Sequence, residues 1–264
     1  SAAGLLDKAL YGNQEFLPWF LYNVSSYDTI HNTRSLDVLD IHYYPDGLYN
    51  DQVDAETAAH RLRAPRSLWD ATYVDESWIG EPVNLIPRMK KLIDENYPGL
   101  KLGISEWNFG ADEHINGALA IADVLGIFGR EDVYFASYWM FPPPDSPGYF
   151  AFRMYSNYDG QGSRFAGTAL AAESSNWDQV SSYAALDDEG RLLLMLVNKY
   201  GVEASEAKLD LQGFEPRVPI QMYRYGESAE GFIQRSQLKV NLENTELLLP
   251  ANSITLLVME PANP

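Results

Sequence analysis

From Ile115 to Gly129 the chain reads Ile-Asn-Gly-Ala-Leu-Ala-Ile-Ala-Asp-Val-Leu-Gly-Ile-Phe-Gly, apolar or small on almost every helical face. A helix without a polar stripe must be covered all round, so this segment belongs between layers of structure. Its small residues permit close packing. On one side lies Lys101-Leu-Gly-Ile-Ser-Glu-Trp-Asn-Phe-Gly110, a short apolar run that reads as a buried parallel strand. On the other lies Asp132-Val-Tyr-Phe-Ala-Ser-Tyr-Trp139, a second strand, followed by the turn-rich Phe141-Pro-Pro-Pro-Asp-Ser-Pro-Gly148. Upstream, residues 13–31 place apolar residues at helical spacing with Pro18 in a tolerant first turn. Leu36-Asp-Val-Leu-Asp-Ile-His-Tyr-Tyr-Pro45 is a strand stopped by Pro45, and Asn84 to Tyr97 is a helix closed by Pro98-Gly99. Helix and strand thus alternate three times, which predicts an α/β layer with parallel strands. Gly47 to Pro82, rich in Asp, Arg, Pro and Trp, is too long for an ordinary connection and is expected to be a functional loop.

The pattern changes near residue 178. Val180 to Leu186 and Arg191 to Asn198 flank Asp-Asp-Glu-Gly as a hairpin, and short strands follow at Ala207–Leu211, Pro219–Tyr225, Leu238–Val240, Glu246–Leu249 and Ser253–Met259. Turn-punctuated strands at these intervals predict an antiparallel β-sandwich. The expected division is an α/β domain over 1–175 and an all-β domain over 176–264, with the boundary near 165–180.

A formal charge of −18, from 19 basic and 37 acidic residues, would repel nucleic acid and anionic membrane, so neither is expected as a partner. No run of ~18 apolar residues suggests a membrane span. With no cysteine there is no thiolate site, and His31, His42, His60 and His114 lack metal-ligand spacing. The opening Ser1-Ala-Ala-Gly4 has neither an initiator Met nor an apolar signal segment, as expected of a processed or partial chain. The 17 Tyr and 6 Trp exceed what a core alone usually needs and suggest a stacking surface for a ring-shaped ligand.

Glu106 brings a carboxyl to the C-terminal tip of its strand, where barrel enzymes keep their chemistry. Beside it, Trp107 offers an indole face to a pyranose ring and Asn108 an amide to sugar hydroxyls, a set that suits attack on an anomeric carbon. A strand-end carboxylate also caps helices or forms ion pairs, so the residue types alone leave both readings open. Asp37 and Asp40 are expected to pair with Arg34 or Arg66. Asp112, Glu113 and His114 fit the first turn of a helix better than a metal site.

Leu36 to Pro45, Arg61-Leu-Arg-Ala-Pro-Arg-Ser-Leu-Trp69 and Lys101 to Gly110 together resemble glycoside hydrolase family 44, secreted β-1,4-glucanases and xyloglucanases. The resemblance continues through Ala122 to Arg130 and Asn157-Tyr-Asp-Gly160. It implies a (β/α)8 TIM barrel joined to a β-sandwich, of which this chain supplies the last three β/α units and the sandwich. It further implies that Glu106, ending strand seven, is the nucleophile of a retaining endo-hydrolase acting on cellulose, carboxymethylcellulose or xyloglucan. His42, Tyr44, Trp78, Trp107 and Trp139 are then the substrate-binding side chains. The family's acid/base stands in an Asn-Glu-Pro motif after strand four, absent here, which implies an N-terminal barrel half or partner chain that carries it. No cofactor is required, calcium held by carboxylates and carbonyls stays open, and the implied location is extracellular. The competing reading is a noncatalytic glycan-binding barrel remnant. A Schiff-base aldolase finds no strand-end lysine.

Overall fold

A computed structural model describes residues 8–227, 231–239 and 246–262. Its first part is a parallel sheet in the order β1 (Val38–Tyr43), β2 (Lys101–Trp107), β3 (Phe135–Tyr138). Helices α1 (Phe16–His31), α2 (Ala55–Arg63), α3 (Leu85–Asn96), α4 (Ile115–Arg130) and α5 (Pro147–Ser156) connect and cover it. The strands are apolar where they meet those helices: Leu39, Leu102 and Ile104 are buried, while Asp40, His42 and all of β3 except Tyr138 are exposed. One face of this sheet is therefore core and the other is open.

The second part is a six-stranded antiparallel sheet. Its strands are β4 (Thr168–Leu170), β5 (Val180–Leu186), β6 (Leu192–Asn198), β8 (Ile220–Gly226), β9 (Gln234–Leu238) and β11 (Ser253–Met259), in the order β4-β5-β6-β11-β8-β9. A separate antiparallel pair joins β7 (Ser205–Lys208) to β10 (Glu246–Leu249). Every residue of β6 and β11 is buried, because the central strands have cover on both faces. Leu193, Met195, Val197, Ile254 and Leu256 face α4 and α5 and share one core with the parallel sheet, and Leu192, Leu194, Leu257 and Met259 face Leu247 and Leu249 of β10. The all-round apolar α4 is thus the shared wall between the two sheets. Gly126 is required there, since a Cβ would lie 2.2 Å from the Tyr183 ring. Inside this wall Asp123 accepts hydrogen bonds from Tyr183 Oη at 2.6 Å and Lys199 Nζ at 3.0 Å.

Several expectations need correction. Gly47–Pro82 is not one long loop: it holds α2, capped by the Asp54 carboxylate on the Glu56 and Thr57 amides, and a 3-10 turn over Ala64–Leu68. Helix α5 starts inside the stretch read as turns, with Ser146 as N-cap and Pro147 at the first position. Strand β4 lies before residue 176 yet pairs with β5, so the antiparallel sheet begins at Thr168. Of the expected Leu238–Val240 strand, Val240 lies outside the described residues, and β9 runs over Gln234–Leu238 instead.

Candidate active site

Strand β2 approaches its C-terminal end with Leu102 and Ile104 on the helix side and Gly103 and Ser105 on the open side. Strict alternation would turn Glu106 into the core. It does not, because the pairing slips: Ile41 lies opposite Ile104 but His42 lies opposite Glu106, and toward β3 Ala136 lies opposite Ile104 but Tyr138 opposite Trp107. One extra residue, Ser105, sits in β2 as a bulge, and parity reverses beyond it. Glu106 therefore emerges half-buried, with 30% of its side chain exposed, beside His42 and Tyr44 of the neighbouring strand.

Those two residues meet the same oxygen. Tyr44 Oη donates to Glu106 Oε2 at 3.0 Å, and His42 Nδ1 lies 3.3 Å from it. The Tyr44 phenol is pushed up to about 12, first by desolvation and then by the Glu106 carboxyl, so it stays a neutral donor across ordinary pH. Tyr49 extends the aromatic rim, 5.3 Å from the Tyr44 ring. Among the described residues both contacts fall on Oε2, and no donor reaches Oε1 of Glu106.

The bulge also corrects the reading of Trp107. Its side chain turns to the helix side, is 1% exposed, and packs edge-on against Phe128 and Tyr138. It has no face to offer a sugar. Asn108 is likewise committed internally: its Nδ2 donates to the Trp139 carbonyl, and its Oδ1 accepts from Gly110 N at 2.5 Å. Trp139 is also held by its own amide on the Trp107 carbonyl at 3.0 Å, and its indole is 45% exposed beyond β3. Trp78 is 79% exposed, and no ring contact or hydrogen bond links it to Glu106. The structure thus brings together Glu106, His42 and Tyr44 and hangs Trp139 on the same strand ends.

The loops next to the site are fixed by Arg61, which is fully buried and among the described residues has no carboxylate partner. Its guanidinium donates to the Phe109, Gln52 and Asn50 carbonyls at 2.7, 2.8 and 3.1 Å and to Asn116 Oδ1 at 2.7 Å. Sequence reasoning missed this residue, whose signal was only an arginine on the apolar side of α2. Asp112 accepts from Tyr138 Oη, and burial raises its carboxyl above the usual range. His114 caps α4 through Nδ1 on the Asn116 amide at 3.1 Å, as expected of a helix first turn. Asp37 pairs with Arg34 at 2.9 Å, but Asp40 binds Ser105 instead of an arginine, and Arg66 turns to Asp70 and Asp178. Among the described residues no group of three or more His, Cys, Asp or Glu side chains could hold a metal ion.

A family model described as glycoside hydrolase family 44 matches residues 1–47. Endoglucanase A of Paenibacillus lautus is 32% identical over 252 residues, which are 90% of this chain and 36% of that protein. The crystal structure of CelM2, a bifunctional glucanase-xylanase from a metagenome library, superposes with a TM-score of 0.92 at 38% identity, over 97% of this chain and 49% of that one. These matches support glycoside hydrolase family 44 for this chain. A Paenibacillus polymyxa xyloglucanase of the same family superposes at 0.88 with 29% identity, over 96% of this chain and 52% of that one. The chain spans about a third of the curated endoglucanase and about half of each solved relative. The fold accords with a partial TIM barrel carrying a sheet domain, the parallel sheet being open among the described residues.

Proposed function

We propose that this chain is the nucleophile-bearing part of a retaining endo-β-1,4-glucan hydrolase, comprising the last three β/α units of a (β/α)8 barrel and a β-sandwich. The observation that carries the reading is Glu106 itself. It ends a parallel strand, a bulge turns it to the open face, and Tyr44 and His42 both stand at one oxygen, leaving the other to react. In the first step Oε1 attacks the anomeric carbon while the bond to the leaving sugar oxygen breaks, and that oxygen takes a proton from an acid/base carboxyl outside these 264 residues. In the second step water, deprotonated by the same group, displaces Glu106. Tyr44 disperses carboxylate charge through Oε2 and His42 orients it or binds a glycone hydroxyl. Trp139, exposed beside the strand ends, and the exposed Trp78 are the stacking platforms. The substrate class follows the relatives, described as endoglucanase, glucanase-xylanase and xyloglucanase, and an extracellular location goes with polymeric substrate.

In the complete polypeptide that carries these residues, Glu106→Gln should take β-glucan hydrolysis to background while leaving glucan affinity within a few-fold of wild type. The amide keeps the shape but cannot act as nucleophile. Wild-type turnover in that variant would remove Glu106 from the reaction.

A further inference from the structure

Aspartate is a poor strand residue, yet Asp40 occupies the middle of β1, between Leu39 and Ile41, on the open face. Its Cα stands opposite Gly103, two residues short of the bulge, and its carboxylate reaches forward to Ser105. Oδ1 accepts from the Ser105 amide at 2.9 Å and Oδ2 from the Ser105 hydroxyl at 2.6 Å. Both carboxylate oxygens are thus committed to the one residue that the ladder cannot accommodate. The extra residue of a bulge is the one normally left unpaired. Here a side chain on the neighbouring strand supplies the missing partner.

We infer that Asp40 is a positioning residue: by clamping the bulge at Ser105 it sets the direction in which Glu106 leaves the strand. The role of Glu106 rests on the function proposed above, but the clamp itself is a matter of geometry. Asp40, His42 and Tyr44 lie on one face of β1 and its continuation, so a single strand both shapes the bulge and receives the carboxyl that the bulge redirects. Burial of Trp107 on the opposite side favours the reversed parity, and the bidentate contact from Asp40 holds the Ser105 amide and hydroxyl at once.

The test is made in the complete polypeptide that carries these residues. Two readouts are measured by NMR: hydrogen exchange at the Ser105 amide, and titration of the Tyr44 phenol, which Glu106 helps to hold near 12 rather than its ordinary 10. Asp40→Ala should speed Ser105 exchange about tenfold, the scale of one lost hydrogen bond to a charged acceptor. It should also lower the Tyr44 titration in the direction set by the control Glu106→Gln. Asp40→Asn keeps an acceptor for the amide and a partner for the hydroxyl, so it should restore most of both. If Asp40→Ala does not fold, Ser105→Ala, which loses only the hydroxyl contact, should show a smaller Tyr44 shift of the same sign. A folded Asp40→Ala, or failing that a Ser105→Ala, with Tyr44 titrating as in wild type would overturn the inference. Failure of the glycosidase reading is recognised separately, by Glu106→Gln retaining turnover.

Discussion

Strands β6 and β2 carry similar apolar runs, and the molecule uses them in opposite ways. Leu192–Asn198 is buried at all seven positions, between α4 and α5 on one face and β10 on the other. Lys101–Trp107 has the helix layer on one face only, so its open side can hold Ser105 and Glu106 partly in water. A strand covered twice has no room for an ionisable group without a dedicated partner, whereas a strand covered once can present one at its end. The difference puts fully enclosed strands in the antiparallel sheet and a half-exposed carboxyl in the parallel one.

That division predicts where truncations act. Leu256→Ala, at a fully buried position of β11 facing α4 and α5, should cost about 2–5 kcal/mol of fold stability, read from denaturant midpoints, without changing glucan affinity of the folded fraction. Trp139→Ala, on the open side, should do the reverse: weaken oligosaccharide binding by about 1–3 kcal/mol in calorimetry and leave melting nearly unchanged. If Trp139→Ala lowered melting sharply and left affinity intact, the open face would be structural and the contrast would fail.

Much of this arrangement was legible in sequence, and the failures have local causes. The α/β alternation and the β5–β6 hairpin followed from period and turn chemistry, and the strand ending at Pro45 brought His42 and Tyr44 to the same end as Glu106. Trp107 was misplaced because standing next to Glu106 in sequence was read as sharing its surface, whereas neighbours in a strand point to opposite faces. The clue was that Glu106 shares parity with Leu102 and Ile104, a conflict that only an inserted residue resolves. Asn108 looked free to bind hydroxyls, yet a polar residue just past a strand must also satisfy the loop backbone it creates. Helix α5 was hidden by its own cap, since Ser146-Pro147-Gly148 carries turn residues that equally well begin a helix.

Acid offers a finer test of the two regions. Asp28 accepts from Thr33, from the Ser35 amide and hydroxyl, and from Tyr97, bonds that hold its carboxyl well below the usual range and tie α1 to α3. Glu76, gripped by Arg63 and Tyr73, is lowered from 4.5 to about 2. Both folded-state values are depressed, so their stabilisation is fully present above the ordinary carboxylate range and is lost as pH falls through it toward 2. Hydrogen exchange in the helices around β1–β3 should therefore accelerate below about pH 4.5 before that of β6 and β11, and Glu76→Gln should flatten part of the dependence. Simultaneous loss in both sheets would mean that the shared core makes them one cooperative unit.

The central claim, that the half-covered strand delivers a nucleophile, is tested most directly by trapping it. A 2-deoxy-2-fluoro-β-cellobioside with a dinitrophenolate leaving group needs no general acid: the bond from Glu106 to the anomeric carbon forms as dinitrophenolate departs, and the fluorine slows release. Peptide mass analysis should find the added fluorocellobiosyl group on Glu106 within Lys101–Gly110, and none in Glu106→Gln. A label on any other carboxylate, or an enzyme that turns over glucan without ever being labelled, would contradict the account.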